Sequence, residues 1–425
     1  MKILFRLQRK LINFVNENFN IMLPKITIQN IALSQYERII ARDSGLPRNF
    51  PDYSQLLSHA LIITGIRRCG KSTLMQQILK SSDNKAVYLN FEDPRLAGFD
   101  LGDFNRVYEI AQEANIETYF FDEIQQIDQW ENFVRFRLDE GNRVFITGSN
   151  ATMLSKELGT KLTGRHISKE LFPFSYNEYI SFKGFEANTD SLANYLNSGG
   201  FPEYIKTDNP EILMQNFNDI VIRDISVRHG LKNVTLLKQL AVWLISNTGK
   251  RFTGNSLKKS SGVASSSSMM EYLGYFADAY LFFYIPKFSF SYKVQLINPK
   301  KVYCIDNGLI QANSTSFTDD HGRMLENLVY LQLRRQVDSI FYFAEKHECD
   351  FVTFNKNKPK GIFQVCWQLN QDNIDRELNG IIEALEFFKK EHGQIITYDQ
   401  QDIFETNGKR IDAIPFHLWA TEGET

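Results

Sequence analysis

Nine consecutive residues, Gly65-Ile66-Arg67-Arg68-Cys69-Gly70-Lys71-Ser72-Thr73, carry the spacing G-x-x-x-x-G-K-[ST] of a phosphate-binding loop. Gly65 and Gly70 let the backbone curl so that successive N–H groups point at phosphate oxygens. Lys71 would reach β- and γ-phosphates as a point charge. The Ser72 hydroxyl would take one position on Mg²⁺, with Thr73 the lesser candidate. A second stretch, Thr118-Tyr119-Phe120-Phe121-Asp122-Glu123, ends an apolar run on two adjacent carboxylates. Asp122 suits a hard cation that takes oxygen ligands, and Glu123 suits orienting and deprotonating a water. A third, Arg143 to Asn150, ends in small polar residues. Asn150, with Ser149 as second choice, is placed to sense a γ-phosphate or the lytic water. Capping a helix that starts at Ala151 is the other use, and both are compatible.

These residues need particular elements behind them. The apolar run Ala60–Thr64 reads as a strand entering the loop and 74–79 as a helix leaving it, so the loop opens on a helix N-terminus that favours anions. Residues 118–122 and 143–148 read as buried parallel strands, and in an open α/β sheet ligands lie at the carboxyl ends of strands. Inside the loop, Arg67 and Arg68 suit phosphate contact, interface contact or simple solvation. Cys69 suits filling space, and would make the site sensitive to thiol reagents.

The order of Gly65 to Thr73, then Phe91-Glu92-Asp93-Pro94-Arg95-Leu96, then Phe121 to Gln125, then Ile146 to Asn150 resembles the AAA-type P-loop ATPases of prokaryotes. More narrowly it resembles the group whose AAA core is followed by domain of unknown function 4143, from about Ile26 onward. The resemblance implies ATP hydrolysis with Mg²⁺ and a ring or other homo-oligomer. It also implies a role for Arg165 in Leu162-Thr163-Gly164-Arg165-His166: an arginine that completes a neighbouring subunit's site. An ordinary surface or interface arginine is the alternative.

Composition agrees with a multidomain globular chain: 425 residues, 23% charged and 43% hydrophobic. A formal net charge of −2 argues against binding to nucleic acid by bulk charge, so any DNA contact must be a local patch. Four scattered cysteines, Cys69, Cys304, Cys349 and Cys366, without metal-ligand spacing, fit a reducing cytoplasm. At the N-terminus, Arg6, Arg9 and Lys10 break any signal-peptide core, and Leu4, Leu7, Leu11 and Val15 fall at helical spacing. No run is long and apolar enough to span a membrane.

Five segments follow: an amphipathic helix over 1–25, a P-loop core over 26–170, a helical lid over 171–235, a winged helix over 236–312, and a restriction-endonuclease-like α/β region over 313–425. In the lid, Arg223 and Asp224 are expected to form a bracing ion pair. In the winged helix, Ser265 to Ser268 open a recognition helix that has no Lys or Arg, so bidentate base readout is unavailable. Lys293, Lys300 and Lys301 are the basic residues of its wing. In the last segment Glu326 and Asp350 match the acidic positions of a PD-(D/E)xK site, but Gln364-Val365-Cys366 stands where E-x-K belongs. Losing a carboxylate and an ammonium weakens both the metal site and charge stabilisation, so a working nuclease is not expected. Arg376 and Glu377, on the next helix, could compensate for those groups, though surface charge is their simpler reading.

The whole reads as a cytoplasmic ATPase coupling Mg-ATP hydrolysis to DNA remodelling or translocation. The alternatives are a nucleotide-dependent switch acting on a protein partner, and a nuclease licensed by ATP.

Overall fold

Ala60-Leu61-Ile62-Ile63-Thr64 is buried at every position, as a central parallel strand covered on both faces must be. The computed structural model describes residues 23–51, 58–82, 85–150, 162, 164–261, 263, 265–315 and 320–422. The helix expected from Leu4 to Val15 and the one expected from Ala151 lie outside the described residues. Two compact units form. The first holds described residues up to 64, 71–148, and 162 with 164–170; the second holds 65–70, 149–150 and everything described from 171 onward.

In the first unit, β1 (Ala60–Thr64), β2 (Val87–Asn90), β3 (Thr118–Asp122), β4 (Arg143–Gly148) and β5 (His166–Glu170) make one sheet in the order β2-β3-β4-β1-β5. Every pairing is parallel. The sequence pattern after Arg165 suggests helices at once; instead β5 pairs with β1, from Ala60↔His166 to Thr64↔Glu170. His-Ile-Ser-Lys-Glu has only one large aliphatic residue because β5 is a half-exposed edge strand, so it lacks the apolar run that marks a buried one. Helices Lys71–Ser81, Asp103–Glu113 and Trp130–Asp139 connect the strands. Phe91, Phe99, Phe104, Phe121 and Phe133 form one aromatic cluster, with Phe104 stacked on Phe133 at 4.6 Å between centroids.

A further helix, Lys25–Ala41, precedes the sheet in the chain and buries Ile28, Ile31, Ala32, Gln35 and Ile39 along one stripe. Ile28, Ile31 and Ala32 of that stripe join the core of this unit.

The second unit opens on Ser175, which caps the helix Tyr176–Lys183 by a reciprocal capping box with Glu178. Helices Thr189–Ser198, Pro202–Thr207 and Glu211–Asp219 follow, and the last runs into a π-helix, Ile220–Val227. Next come helices Val234–Ser246, Gly254–Ser261 and Ser266–Asp278 with an antiparallel sheet of β6 (Arg251–Phe252), β7 (Phe282–Pro286) and β8 (Lys300–Cys304), ordered β6-β8-β7. A short helix, Tyr292–Ile297, stands between β7 and β8.

The C-terminal region is a six-stranded sheet backed by helices His321–Gln336 and Ile374–Phe387. Its strands are β9 (Ser339–Ala344), β10 (Glu348–Asn355), β11 (Lys358–Val365), β12 (His392–Thr397), β13 (Asp402–Thr406) and β14 (Lys409–Pro415), ordered β13-β14-β12-β11-β10-β9. The β13–β14 hairpin turns at Asn407-Gly408, both at positive φ.

Candidate functional site

The loop has the backbone its glycines require. Gly65 sits at φ 142° and Gly70 at φ 105°. A Cβ on Gly65 would meet the Leu171 carbonyl oxygen at 2.2 Å, so no other residue fits there without displacing backbone. Cys69 is buried, and its Sγ lies 3.3 Å from that same Cβ position, so it fills space under the loop.

Lys71 opens the helix Lys71–Ser81, and its ammonium is buried, with Nζ 3.7 Å from Glu123 Oε1. Asp122, at the end of β3, is fully buried and accepts hydrogen bonds from Ser72, from Thr147 Oγ1 and, at 3.0 Å, from the Tyr88 hydroxyl. Burial and the adjacent Glu123 push the Asp122 carboxyl above its ordinary range, and those hydrogen bonds pull it back. Glu123 takes a left-handed conformation, φ 54°, and its N–H donates to Thr147 Oγ1 at 3.0 Å. That kink separates the two carboxylates: Asp122 turns into the sheet end while Glu123 faces Lys71 and the Gln125 amide.

The donor set fits Mg-ATP. A buried carboxylate beside a serine hydroxyl offers hard oxygen ligands to a cation whose other positions phosphates and water would fill. Among the described residues there is no group of three or more His, Cys, Asp or Glu placed to hold a metal ion. Ser149 and Asn150 are both buried directly after β4. Thr73 follows Ser72 in the loop helix, half-buried. Arg165 ion-pairs with Asp139 of its own chain and is half-exposed.

Neither loop arginine is merely solvated. Arg67 Nη1 lies 3.6 Å from Asp224 Oδ1, and Arg68 Nη1 lies 2.7 Å from Glu203 Oε2. The expected Arg223–Asp224 pair does not form. The wide π-helical turn faces Asp224 inward and leaves Arg223 exposed, so Asp224 reaches the phosphate loop instead.

In the C-terminal region, Glu326, Asp350 and Gln364 do come together, around a cavity of about 760 Å³. What joins them is Lys301. Its Nζ is 2.9 Å from Glu326 Oε1, 2.7 Å from Glu348 Oε1 and 2.8 Å from Asp350 Oδ1. Lys301 is therefore buried and cannot serve as an exposed wing residue. Burial alone would lower its pKa; Asp350 and Glu326 together outweigh that and raise it. Glu377 is likewise buried and not surface charge: it accepts from Gln364 Nε2 at 2.6 Å and pairs with Arg376. Cys366 lies at the cavity's edge, its thiol pushed up to about 11, chiefly by burial.

Residues 57–180 match the family described as AAA domain, and residues 189–320 match a domain of unknown function, DUF8612, where the sequence suggested domain 4143. An uncharacterised protein of Methanocaldococcus jannaschii is 34% identical to this chain over 433 aligned positions, covering 94% of this chain and 95% of its own length. The chain belongs to the family of that protein. A second uncharacterised relative, from Haemophilus influenzae, is 28% identical over 77% of this chain and 87% of its own. Among solved structures, AMPPCP-bound DnaA from Aquifex aeolicus (11% identity, 61% of this chain, 89% of that one, TM-score 0.27) and the RuvB Holliday junction branch migration motor of Thermotoga maritima (15%, 62%, 88%, 0.28) are similar too loosely to carry an argument.

Within the AAA domain, sequence reasoning missed Thr147 and Tyr88, which orient the Walker-type carboxylates. Thr147 was legible in principle, as a polar residue near the end of an otherwise apolar β4 that neighbours β3. Tyr88 was not, because only the β2–β3 pairing brings its hydroxyl to Asp122. No described helix is long and apolar enough to cross a membrane.

Proposed function

We propose that this AAA-domain protein binds and hydrolyses Mg-ATP at Gly65–Thr73, Asp122 and Glu123, and uses the cycle to remodel a macromolecule. The observation that carries the reading is the buried Lys71 held opposite Glu123 beside the Ser72–Asp122 pair, three roles of a hydrolytic phosphate site in one place. Ser72 and Asp122 hold Mg²⁺, which when bound screens phosphate charge and polarises the phosphoryl group. Lys71 grips the β- and γ-phosphates. Glu123 accepts the proton of the attacking water. Asn150, or Ser149, senses the γ-phosphate, and Arg165 of one subunit completes a neighbour's site in a homo-oligomer.

DNA is the first reading of the macromolecule, resting on the winged-helix and restriction-endonuclease-like character of residues 236–312 and 313–425, the latter without nuclease activity. A specific observation favours a second reading, a switch acting on a protein. The segment between β7 and β8, where a basic wing would grip phosphates, exposes Phe290, Tyr292, Leu296 and Ile297. An exposed apolar group of that size suits a protein surface better than a nucleic-acid backbone.

Steady-state hydrolysis with and without single-stranded, duplex and branched DNA, with Lys71→Ala as blank, tests both readings. Stimulation by one DNA form that the blank loses supports the motor; hydrolysis indifferent to DNA supports the protein-directed switch. No hydrolysis at all defeats the ATPase reading.

A further inference from the structure

The helix Lys25–Ala41 ends against the helix that carries Lys71 and Ser72, and the join is made by side chains of the latter. Gln76 Nε2 donates to the carbonyls of Ile39 at 2.7 Å and Arg42 at 2.6 Å, and Lys80 Nζ donates to Arg42 O at 2.9 Å. Gln77 Nε2 adds the carbonyls of Ser44 and Leu46, at 2.7 and 2.8 Å. Gln76 is four residues after Ser72, so the two share a helix face about 6 Å apart along the axis. The clamp thus fixes the Arg42 backbone about one turn from the Ser72 hydroxyl.

Arg38 and Arg42, four residues apart, line a cavity of about 520 Å³ with Ser72, Tyr88 and Asp122. Two guanidinium groups side by side repel each other, and among the described residues neither has a carboxylate partner. Arg95 lines the same cavity but is already held bidentately by Asp93. Burial and Asp122 push the Tyr88 hydroxyl well above the phenolic range, and Arg42 is the nearby charge that opposes them. Arg42 therefore lies close enough to act electrostatically on the Tyr88 hydroxyl.

We infer that Arg42 completes the phosphate site from within its own subunit, its guanidinium facing the terminal phosphate that Ser72 and Asp122 serve. The inference rests on the ATPase reading. As water oxygen bonds to the γ-phosphorus, the bond to the β–γ bridging oxygen breaks, ADP leaves with that electron pair, and the water's proton passes to Glu123. Negative charge on the γ-phosphoryl oxygens and the leaving oxygen is what a fixed guanidinium stabilises. Because Arg42 is anchored through its backbone carbonyl, replacing the side chain leaves the clamp intact.

The test uses the full chain with Arg42→Ala, Arg42→Lys and Lys71→Ala. Arg42→Ala should lower kcat at least ~100-fold while binding AMPPCP within about threefold of wild type. It should lose the tighter grip on ADP with aluminium fluoride, which mimics the charge of the reacting state. Arg42→Lys should recover only part of the loss, since an ammonium lacks the planar fork. Mixing Arg42→Ala with Lys71→Ala should restore nothing, because each copy lacks an essential group of its own site. Near-normal kcat in Arg42→Ala overturns the inference, and so does activity restored by mixing, which would place Arg42 in a neighbour's site. A wild type that neither binds nor hydrolyses ATP defeats the ATPase reading and this inference with it.

Discussion

Lys71 Nζ lies 3.7 Å from Glu123 Oε1, so the ammonium proposed to grip phosphate is held by the carboxylate proposed to activate water. Glu123→Gln removes the base and the charge that competes for Lys71. Hydrolysis should fall by at least ~100-fold, while ATP affinity holds or rises, trapping the bound state. Single-turnover hydrolysis beside equilibrium binding of a fluorescent ATP analogue separates the two, and normal turnover in the variant would remove Glu123 from the base role.

Arg67 is shared between the phosphate loop and the π-helix through Asp224. Asp224→Asn should tighten Mg-ATP binding several-fold, and Arg67→Gln should weaken it. Residues in direct contact are not additive, so the double variant should depart from the sum by about 1 kcal/mol. The neighbouring Arg68–Glu203 pair is exposed on both sides, and Glu203→Ala should change stability by less than about 1 kcal/mol. Calorimetric titration of the first three variants and a denaturation curve for Glu203→Ala check these values.

Lys301, itself buried, ion-pairs with three carboxylates at once, Glu326, Glu348 and Asp350. Lys301→Met should destabilise its unit by about 3–5 kcal/mol, because breaking a buried pair leaves uncompensated charge. The stranded carboxyls would then hold protons more tightly folded than unfolded. The variant should therefore lose further stability as pH rises above the ordinary carboxylate range and regain it on acidification, as urea titrations at several pH values would show.

Asp306 accepts from the Gly200 N–H at 2.6 Å and from the Leu309 N–H at 3.2 Å, and burial pushes its carboxyl up to about 7. A folded pKa above the unfolded one means the folded state keeps a proton that the unfolded state releases. Stability should accordingly fall as pH rises from 3.8 to about 7, by on the order of 4 kcal/mol at the outside. Asp306→Asn should flatten that dependence in unfolding curves.

Features written in contiguous residues were legible: Gly65 to Thr73 and the apolar approach to Asp122. Those made by residues far apart in the chain were not. Thr147 and Tyr88 matter only because β3 lies between β2 and β4. Gln76 looks like an ordinary helix surface residue until it meets two carbonyls more than thirty positions earlier. Lys301 passed for a basic wing residue because nothing local announces the three carboxylates that surround it. The π-helix at Ile220–Val227 was invisible for the opposite reason: its residues suit an α-helix, and only the placement of Asp224 shows the wider turn.

The clamp on Arg42 bears on where this protein can be cut. The AAA-domain match begins at residue 57, after the helix Lys25–Ala41 has ended. A truncation made at that border would remove Ile28, Ile31 and Ala32, uncover the core they pack against, and strip the Gln76 amide of both its acceptors. The outline of the domain and the extent of its packed core are different lengths here, and the difference includes a strap that the helix Lys71–Ser81 grips by its backbone.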